Sequence, residues 1–404
     1  MKVAYITVKA PYGKGEAFVV TEMLEVLEQG VDLVVIPLRP EGRAYHGEVM
    51  DEISHRPIRL PLLSGKIIQE FLKAIMVNPA SVVLAISSVV RYSRAGVLLK
   101  NLAVIPKGVY LARLLSEMEV KHIHAHWAST PSTCAYIASR LSGILWSFTA
   151  HRWDIAENNM LKMKVQSASF VRAISEEGRQ EMLKIVGKNW AEKVIVIHMG
   201  VSLSRVLAQR ERKARHIPTI VCIANLVEIK GHKYLIEACR ILKDKGLRFR
   251  CLLVGDGLER QAIAEQIRTL HIKNQIEMRG ALTHGEVQQL LQEEADIVVL
   301  PSIVTDKGEK EGIPVALMEA MSYAVPVVST TTGGIPELLS NGAGIMVEEK
   351  ASEELAKALE QLIQDEDHAR KIGQRGYCKV AEEFNLKKNV KRLLEIMKGT
   401  VTGK

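Results

Sequence analysis

Two glutamates stand eight residues apart in EKEGIPVALMEA, residues 309–320. Glu311 lies at the mouth of an apolar run and Glu319 inside it. Pro314 suits the first helical position, where its missing N–H costs nothing. On a helix turning about 100° per residue, eight steps rotate about 80° net, so both carboxylates can face one cleft. Free N–H groups near Gly312 and Ile313 would point at the same ligand. A charged Glu319 between VALM and AM has to be paired or ligand-facing, because an unpaired buried carboxylate is costly. Three chemistries fit this pair. The carboxylates could do general acid/base work, as in glycosidases. They could accept hydrogen bonds from sugar hydroxyls. Glu319 could instead be one half of an internal ion pair.

Other segments carry possible chemistry. In NLVEIKGHKYLIEACRIL (225–242) a helical pattern follows a strand-like run. Lys230, Gly231 and the helix N-terminus would form a cationic, donor-rich corner suited to phosphate. A solvated lysine is the plainer alternative. GKGEAF (13–18) and GDGLER (255–260) each have two glycines but no third. The dinucleotide fingerprint therefore fails, which disfavours a nicotinamide enzyme. Each loop can let backbone approach a ligand closely, or serve only as a tight turn. In HIHAHW (122–127), His122, His124 and His126 share one strand face. No carboxylate or cysteine at ligand spacing accompanies them, so a metal is disfavoured. His126 falls at the strand's carboxyl end, as do His151 and Asp154 in SFTAHRWDI (147–155). Cleft residues of parallel sheets lie there. A hydrogen-bonded strand-end histidine is the alternative for His151.

These residues need a scaffold, and the chain is long enough for two domains of ordinary size. It has 404 residues, 47% apolar and 25% charged, which suits a globular protein with a real core. Five cysteines without a C-x-x-C pair fit a reducing compartment, and argue against a disulfide framework or zinc ribbon. The first residues, MKVAYITVKAPYG, hold too short an apolar run for a signal peptide. The net charge of +8 is uneven, with +10 in residues 1–216 and −2 in the remainder. A basic N-terminal half suits a phosphorylated substrate, a nucleic acid or an anionic membrane, unless it is only a solvated surface. Aromatics are only 5% and no recognition motif is present, so nucleic acid is disfavoured.

Twelve apolar runs read as strands: 2–8, 31–38, 122–127, 145–151, 169–175 and 194–200, then 218–225, 248–257, 275–280, 295–302, 325–331 and 343–349. Several lack polar alternation, as strands buried on both faces should. Helical patterns such as 18–29, 131–142 and 176–186 separate some of them, the β-α-β signature of a parallel sheet. The basic stretch 202–216 reads as a linker. The expectation is an α/β protein of two Rossmann-like domains facing across a cleft. Residues 1–205 would form the N-terminal domain, 206–380 the C-terminal one, and 381–404 a helix packing back on the first. Residues 64–118 fit less well: they look helical, and 74–90 carry no charge. Asn78 and Pro79 interrupt that run, so a buried or surface-seeking helical pair is favoured over a membrane span.

EGIPVALMEAMSYAVPVVSTTTGGIPELL (311–339) resembles the E-x7-E region of retaining, nucleotide-sugar-dependent glycosyltransferases of the GT-B fold, family four. NLVEIKGHKYLIEA, LLVGDGLER, MRGALTHGEVQQLL and ADIVVLPS stand in that family's order. GKGEAFVVTEMLEVL, HIHAHWAS, SFTAHRWDI and VRAISEEGR are similar to it less specifically. The resemblance implies a GT-B architecture and a transferase acting on a nucleotide-diphosphate sugar without a metal. It implies that Glu311, with the backbone of Gly312 and Ile313 ahead of Pro314, holds hydroxyls of the donor sugar. Glu319 would accept from both ribose hydroxyls. Lys230 would neutralise the diphosphate, Gly15 would approach it, and His151 would sit by the sugar. The base would lie near Gly255, Gly257 and Leu282. Glu16, His126, Arg152 and Asp154 are assigned to the acceptor side. The acceptor would be a glycan or a polyprenyl- or lipid-linked one in cell-surface polysaccharide synthesis, met in the cytoplasm or peripherally on an anionic inner leaflet.

The sequence departs from the family in places. Asn225 stands where the family has Arg, five residues before the lysine, which halves the expected positive charge on the diphosphate. Arg152, Lys307 or Lys310 could compensate. Ser202 replaces a usual Asp, and Ala324 a usual Gly. Asn225 keeps open a second reading: a catalytically weak nucleotide-sugar-binding subunit assisting a partner transferase. An epimerase or phosphorylase on the same fold is disfavoured by the form of 311–339.

Overall fold

Each of the twelve apolar runs contains a strand. The computed structural model describes residues 1–12, 16–40, 58–62, 64–203 and 217–403. Among them it divides into two compact units, Met1–Met199 with Leu386–Lys404, and Gly200–Asn385.

The first unit holds β1 (Lys2–Thr7), β2 (Asp32–Pro37), β3 (His122–His126), β4 (Leu145–Ala150), β5 (Phe170–Ala173) and β6 (Val194–Val196). They form one parallel sheet in the order β2-β1-β3-β4-β5-β6. After Lys2 every residue of β1 is buried, because both sheet faces are covered. Ala4 and Ile6 meet one core with the helices Ile105–Glu117 and Thr130–Ser142. Val3 and Tyr5 meet another with Ala17–Glu28 and the last helix, Leu386–Thr402.

The second unit holds β7 (Thr219–Ile223), β8 (Arg250–Val254), β9 (Ile276–Gly280), β10 (Ile297–Leu300), β11 (Val327–Thr330) and β12 (Ile345–Val347). Its parallel sheet runs β12-β11-β10-β7-β8-β9. This is the dinucleotide-fold order, whereas the first unit has the flavodoxin-like one. In both, the strand order reverses beside the first strand: between β1 and β3, and between β7 and β10. Ligands of such sheets bind at the carboxyl ends of the strands flanking that point.

The unit boundaries differ from the expected ones. The first break falls between Met199 and Gly200, not at 205/206, and the linker segment 204–216 lies outside the described residues. The second falls at Asn385/Leu386, because a break at 380/381 would cut the helix Glu366–Glu383. Residues 64–118 form four helices, Gly65–Val77, Pro79–Tyr92, Ala95–Ala103 and Ile105–Glu117, and the uncharged run 74–90 is divided between the first two. The Asn78 side chain accepts from Ser81 N at 3.2 Å and caps the second, with Pro79 in its first turn.

Beneath the carboxyl end of β3 lies a buried polar cluster. His126 was expected in a cleft; it is fully buried instead. Its Nε2 is 3.1 Å from Glu22 Oε1, and Arg172 Nη1 donates to Glu22 Oε2 at 2.6 Å. Burial pushes the Glu22 carboxyl up, but Arg172 and then His126 overturn that and hold it well below the usual carboxylate range. The other Arg172 nitrogens donate to the carbonyls of Ile197 and His198, each at 2.8 Å. His122 and His124 share Ser147 Oγ at 2.7 and 2.8 Å, and His124 reaches Thr149 Oγ1 at 2.8 Å. Burial lowers the His122 pKa to about 3 and holds His124 well below its usual value, so both are neutral at pH 7. The three histidines thus tie β3 to its neighbours. Glu22→Ala should leave Arg172 buried without its carboxylate. We expect a loss of about 3–5 kcal/mol in urea unfolding; a loss within error of zero would show that the pair does not hold the sheet.

Candidate active site

In the second unit the carboxyl ends of β7 and β10 carry the charged residues that the sequence singled out. Lys230 ends a single 3-10 turn, Glu228–Lys230, and Gly231 follows at φ +65°. A Cβ on Gly231 would lie 2.0 Å from the Pro301 carbonyl oxygen, so only glycine lets this turn touch the end of β10. There the Lys230 ammonium pairs with the Glu311 carboxylate, and Ser302 Oγ donates to the same Glu311 oxygen at 3.3 Å. Both charged side chains are mostly buried, about one sixth to one fifth exposed, at 15% and 19%.

Glu311 is held from behind. Gly333, at φ +57°, packs so closely that a Cβ would sit 1.9 Å from the Glu311 carbonyl oxygen. Gly334 N donates to that oxygen at 3.3 Å. A Cβ on Gly334 would come within 2.8 Å of Ile313 Cγ1. These two glycines, within the motif yet assigned no role from sequence, position the segment that carries Glu311, Gly312 and Ile313. Only the pairing of a rare GG with a polar loop could have flagged them.

The rotation expected between the two glutamates does not occur. The helix is Val315–Ser322, with Pro314 just before it at ψ 120°, not at its first position. Residues 311–314 are not helical, so Glu311 and Glu319 take separate partners. Glu319 Oε1 lies 3.5 Å from His284 Nδ1, at the start of the helix His284–Glu293. Burial raises the Glu319 pKa to about 7.

Asn225 is exposed just beyond β7. Gly255 and Gly257 line the next turn, where Cβ atoms would fall 1.9 Å from Ala224 O and 2.4 Å from Leu226 O. Within the chain, then, these glycines serve the backbone contact between the two strand exits. Leu258 beside them is 96% exposed, while Leu282 is half-buried against the core.

In the first unit a second group gathers at the ends of β1, β3 and β4. Gly15 lies outside the described residues. Glu16 is buried and fully engaged: Lys9 N and Ala10 N donate to one oxygen at 2.6 Å each, and Trp127 Nε1 to the other at 2.5 Å. Asp154 is likewise engaged, accepting from Ala128 N at 2.5 Å and His151 N at 2.8 Å. Burial pushes the Asp154 pKa up to about 8 against those two N–H groups. Both carboxylates tie loops together here. His151 precedes the helix Arg152–Glu157, which begins with Arg152. Its ring lies against Trp127, centroids 4.2 Å apart, and Phe18, 5.3 Å. Burial, and then His126 nearby, lower its pKa well below the usual value, so it is neutral at pH 7. Its buried Nε2 has no hydrogen-bond partner among the described residues. No group of three or more His, Cys, Asp or Glu among those residues could hold a metal ion.

Residues 206–379 match the family model described as Glycosyl transferases group 1. The chain is 40% identical over 197 residues to WcaL of Salmonella typhimurium, named for colanic acid biosynthesis, covering 48% of each chain. It is 37% identical over 209 residues to the amylovoran biosynthesis glycosyltransferase AmsK of Erwinia amylovora, covering 51% of each. The chain thus spans about half the length of these relatives. Anabaena Alr3699/HepE, solved in complex with UDP, superposes with a TM-score of 0.71 at 17% identity, covering 99% of this chain and 100% of that one. Residues 206–379 are thus similar to the group 1 glycosyl transferases, and the two units have the GT-B fold.

Proposed function

We propose that the chain is a retaining glycosyltransferase. It moves a sugar from a nucleoside diphosphate sugar to a glycan or lipid-linked acceptor in cell-surface polysaccharide synthesis, in the cytoplasm and without a resident metal. The observation that carries this is the Lys230–Glu311 pair at the reversal point of the second sheet, seated on Pro301 and Gly333 by glycine contacts. Each member suits one part of such a donor. The ammonium takes the diphosphate, and the carboxylate takes sugar hydroxyls that donate to it. The donor would replace the Lys230–Glu311 contact, so the two charges need not be created or desolvated anew. Glu319 would accept from the ribose hydroxyls, and exposed Leu258 offers an apolar surface to the base. His151, neutral with a free Nε2, would hydrogen-bond the transferred sugar.

We propose front-face transfer, in which Glu311 positions the sugar rather than attacking it. The acceptor hydroxyl attacks the anomeric carbon as its bond to the diphosphate oxygen breaks. That oxygen takes the hydroxyl proton. Lys230 stabilises the charge on the leaving group, and Glu311 fixes the sugar. Asn225 supports the second reading, a binding subunit with weak catalysis, since it adds no charge where the family has Arg.

Incubation with UDP- and GDP-sugars separates the two. Slow donor hydrolysis by the wild type, reduced about a hundredfold by Glu311→Ala, is expected of an enzyme. Binding without hydrolysis or transfer favours the subunit reading. Glu319 gives a second check. Its folded pKa of about 7 exceeds the ordinary 4.5, so the folded state binds more protons between those values. Stability therefore falls as pH rises from about 4.5 to about 7. Glu319→Gln should match the wild type at pH 4.5 and exceed it by up to about 3 kcal/mol at pH 8. Parallel pH profiles of thermal unfolding would contradict this environment for Glu319.

A further inference from the structure

Three consecutive helices of the first unit, Gly65–Val77, Pro79–Tyr92 and Ala95–Ala103, concentrate the exposed apolar surface of the protein. Of sixteen large apolar side chains exposed among the described residues, nine fall between Ile68 and Leu99. On the first helix Ile68, Leu72 and Met76 recur every four residues and form one stripe. It ends in Met76 and Val77, 75% and 84% exposed. The second helix exposes Val83 and Leu84, and the third Leu99. The opposite faces are packed: Ile67, Val82, Val89 and Val97 are buried. The exposed side is thus a finished surface on a built core.

Its charge is one-sided. Between residues 58 and 116 the only acidic residue is Glu70, against eight Lys and Arg. Glu70 is itself occupied by Lys73 at 3.0 Å and Arg113 at 2.6 Å. Lys66, Arg91 and Lys100 stand exposed beside the apolar side chains, Lys100 in a surface pair with Glu157 at 3.4 Å. No single helix here is long and apolar enough to cross a membrane, and Asn78–Pro79 bends the first two by 114°. Short helices with exposed apolar residues and flanking bases match the boundary between headgroups and acyl chains.

We propose that this face docks the chain peripherally on an anionic phospholipid bilayer. Val77, Met76 and Leu99 enter the acyl boundary, and Lys66, Arg91 and Lys100 meet the phosphates. Docking is independent of the donor site, so it stands or falls apart from the proposed transfer.

Flotation of the purified chain with phosphatidylglycerol-containing and pure phosphatidylcholine vesicles, without nucleotide sugar, tests it. Binding to the anionic vesicles is expected, weakening as salt is raised from 50 to 500 mM and the Debye length shortens from roughly 14 to roughly 4 Å. The triple variant Met76→Ser, Val77→Ser, Leu99→Ser should lower affinity at least about tenfold. Lys66→Gln should lower it about fivefold at low salt. All these side chains are exposed, so the thermal midpoint should stay unchanged. Failure to bind anionic vesicles would overturn the proposal. So would binding undiminished by the triple variant, or a solution dimer that the triple variant dissociates.

Discussion

Backbone packed directly on backbone is the constraint on which the second unit's site depends. Gly231 lies on the Pro301 carbonyl and Gly333 on that of Glu311, each leaving no room for a Cβ. These contacts bring the turn after β7, the exit of β10 and the loop after β11 into one small volume. The Lys230–Glu311 pair then forms between segments 81 residues apart in sequence. A side chain at either glycine would push the charges apart, and the pair would lose the geometry that lets one donor take both.

The first unit reaches the same end by a different route. Its core under β3 is polar, with Glu22 joining Arg172, His126 and, at 3.5 Å, Tyr5. Burying such a cluster is costly unless every charge is met. Here it is met from the helix Ala17–Glu28, from β3 and from β5, so the cluster fixes the spacing of three elements. Glu16 and Asp154 continue the pattern above it, each carboxylate holding two backbone segments. His151 Nε2, like Nδ1 of His122 and of His126, is buried without a hydrogen-bond partner among the described residues.

Much of this was legible in the sequence, for identifiable reasons. The strands were readable because parallel strands buried on both faces leave unbroken apolar runs, as VDLVVIPL and ADIVVLPS do. Pro314 announced a helix start to within a residue, and Asn78–Pro79 a break between two helices. Lys230 and Glu311 were singled out by their types and neighbours, but their pairing with each other was not legible. The order of strands was not legible, since crossover helices look alike whichever neighbour they reach. Nor were the tasks of Glu16, Asp154 and His126. Each depends on partners many residues away, such as Trp127 for Glu16, 111 positions on. A helical rotation over 311–319 assumed one continuous helix, and the extended backbone at Pro314 breaks it. Glycines beside strands suggested ligand approach; their observed neighbours are carbonyls of the chain itself.

In the proposed function Lys230 and Glu319 hold one nucleoside diphosphate donor in the second unit. Calorimetric titration of UDP and GDP into the wild type, Lys230→Ala and Glu319→Ala tests it most directly. At least one nucleotide should bind the wild type, weakened by about tenfold or more in each variant, or about 1.4 kcal/mol. Unchanged affinity in both variants would contradict it.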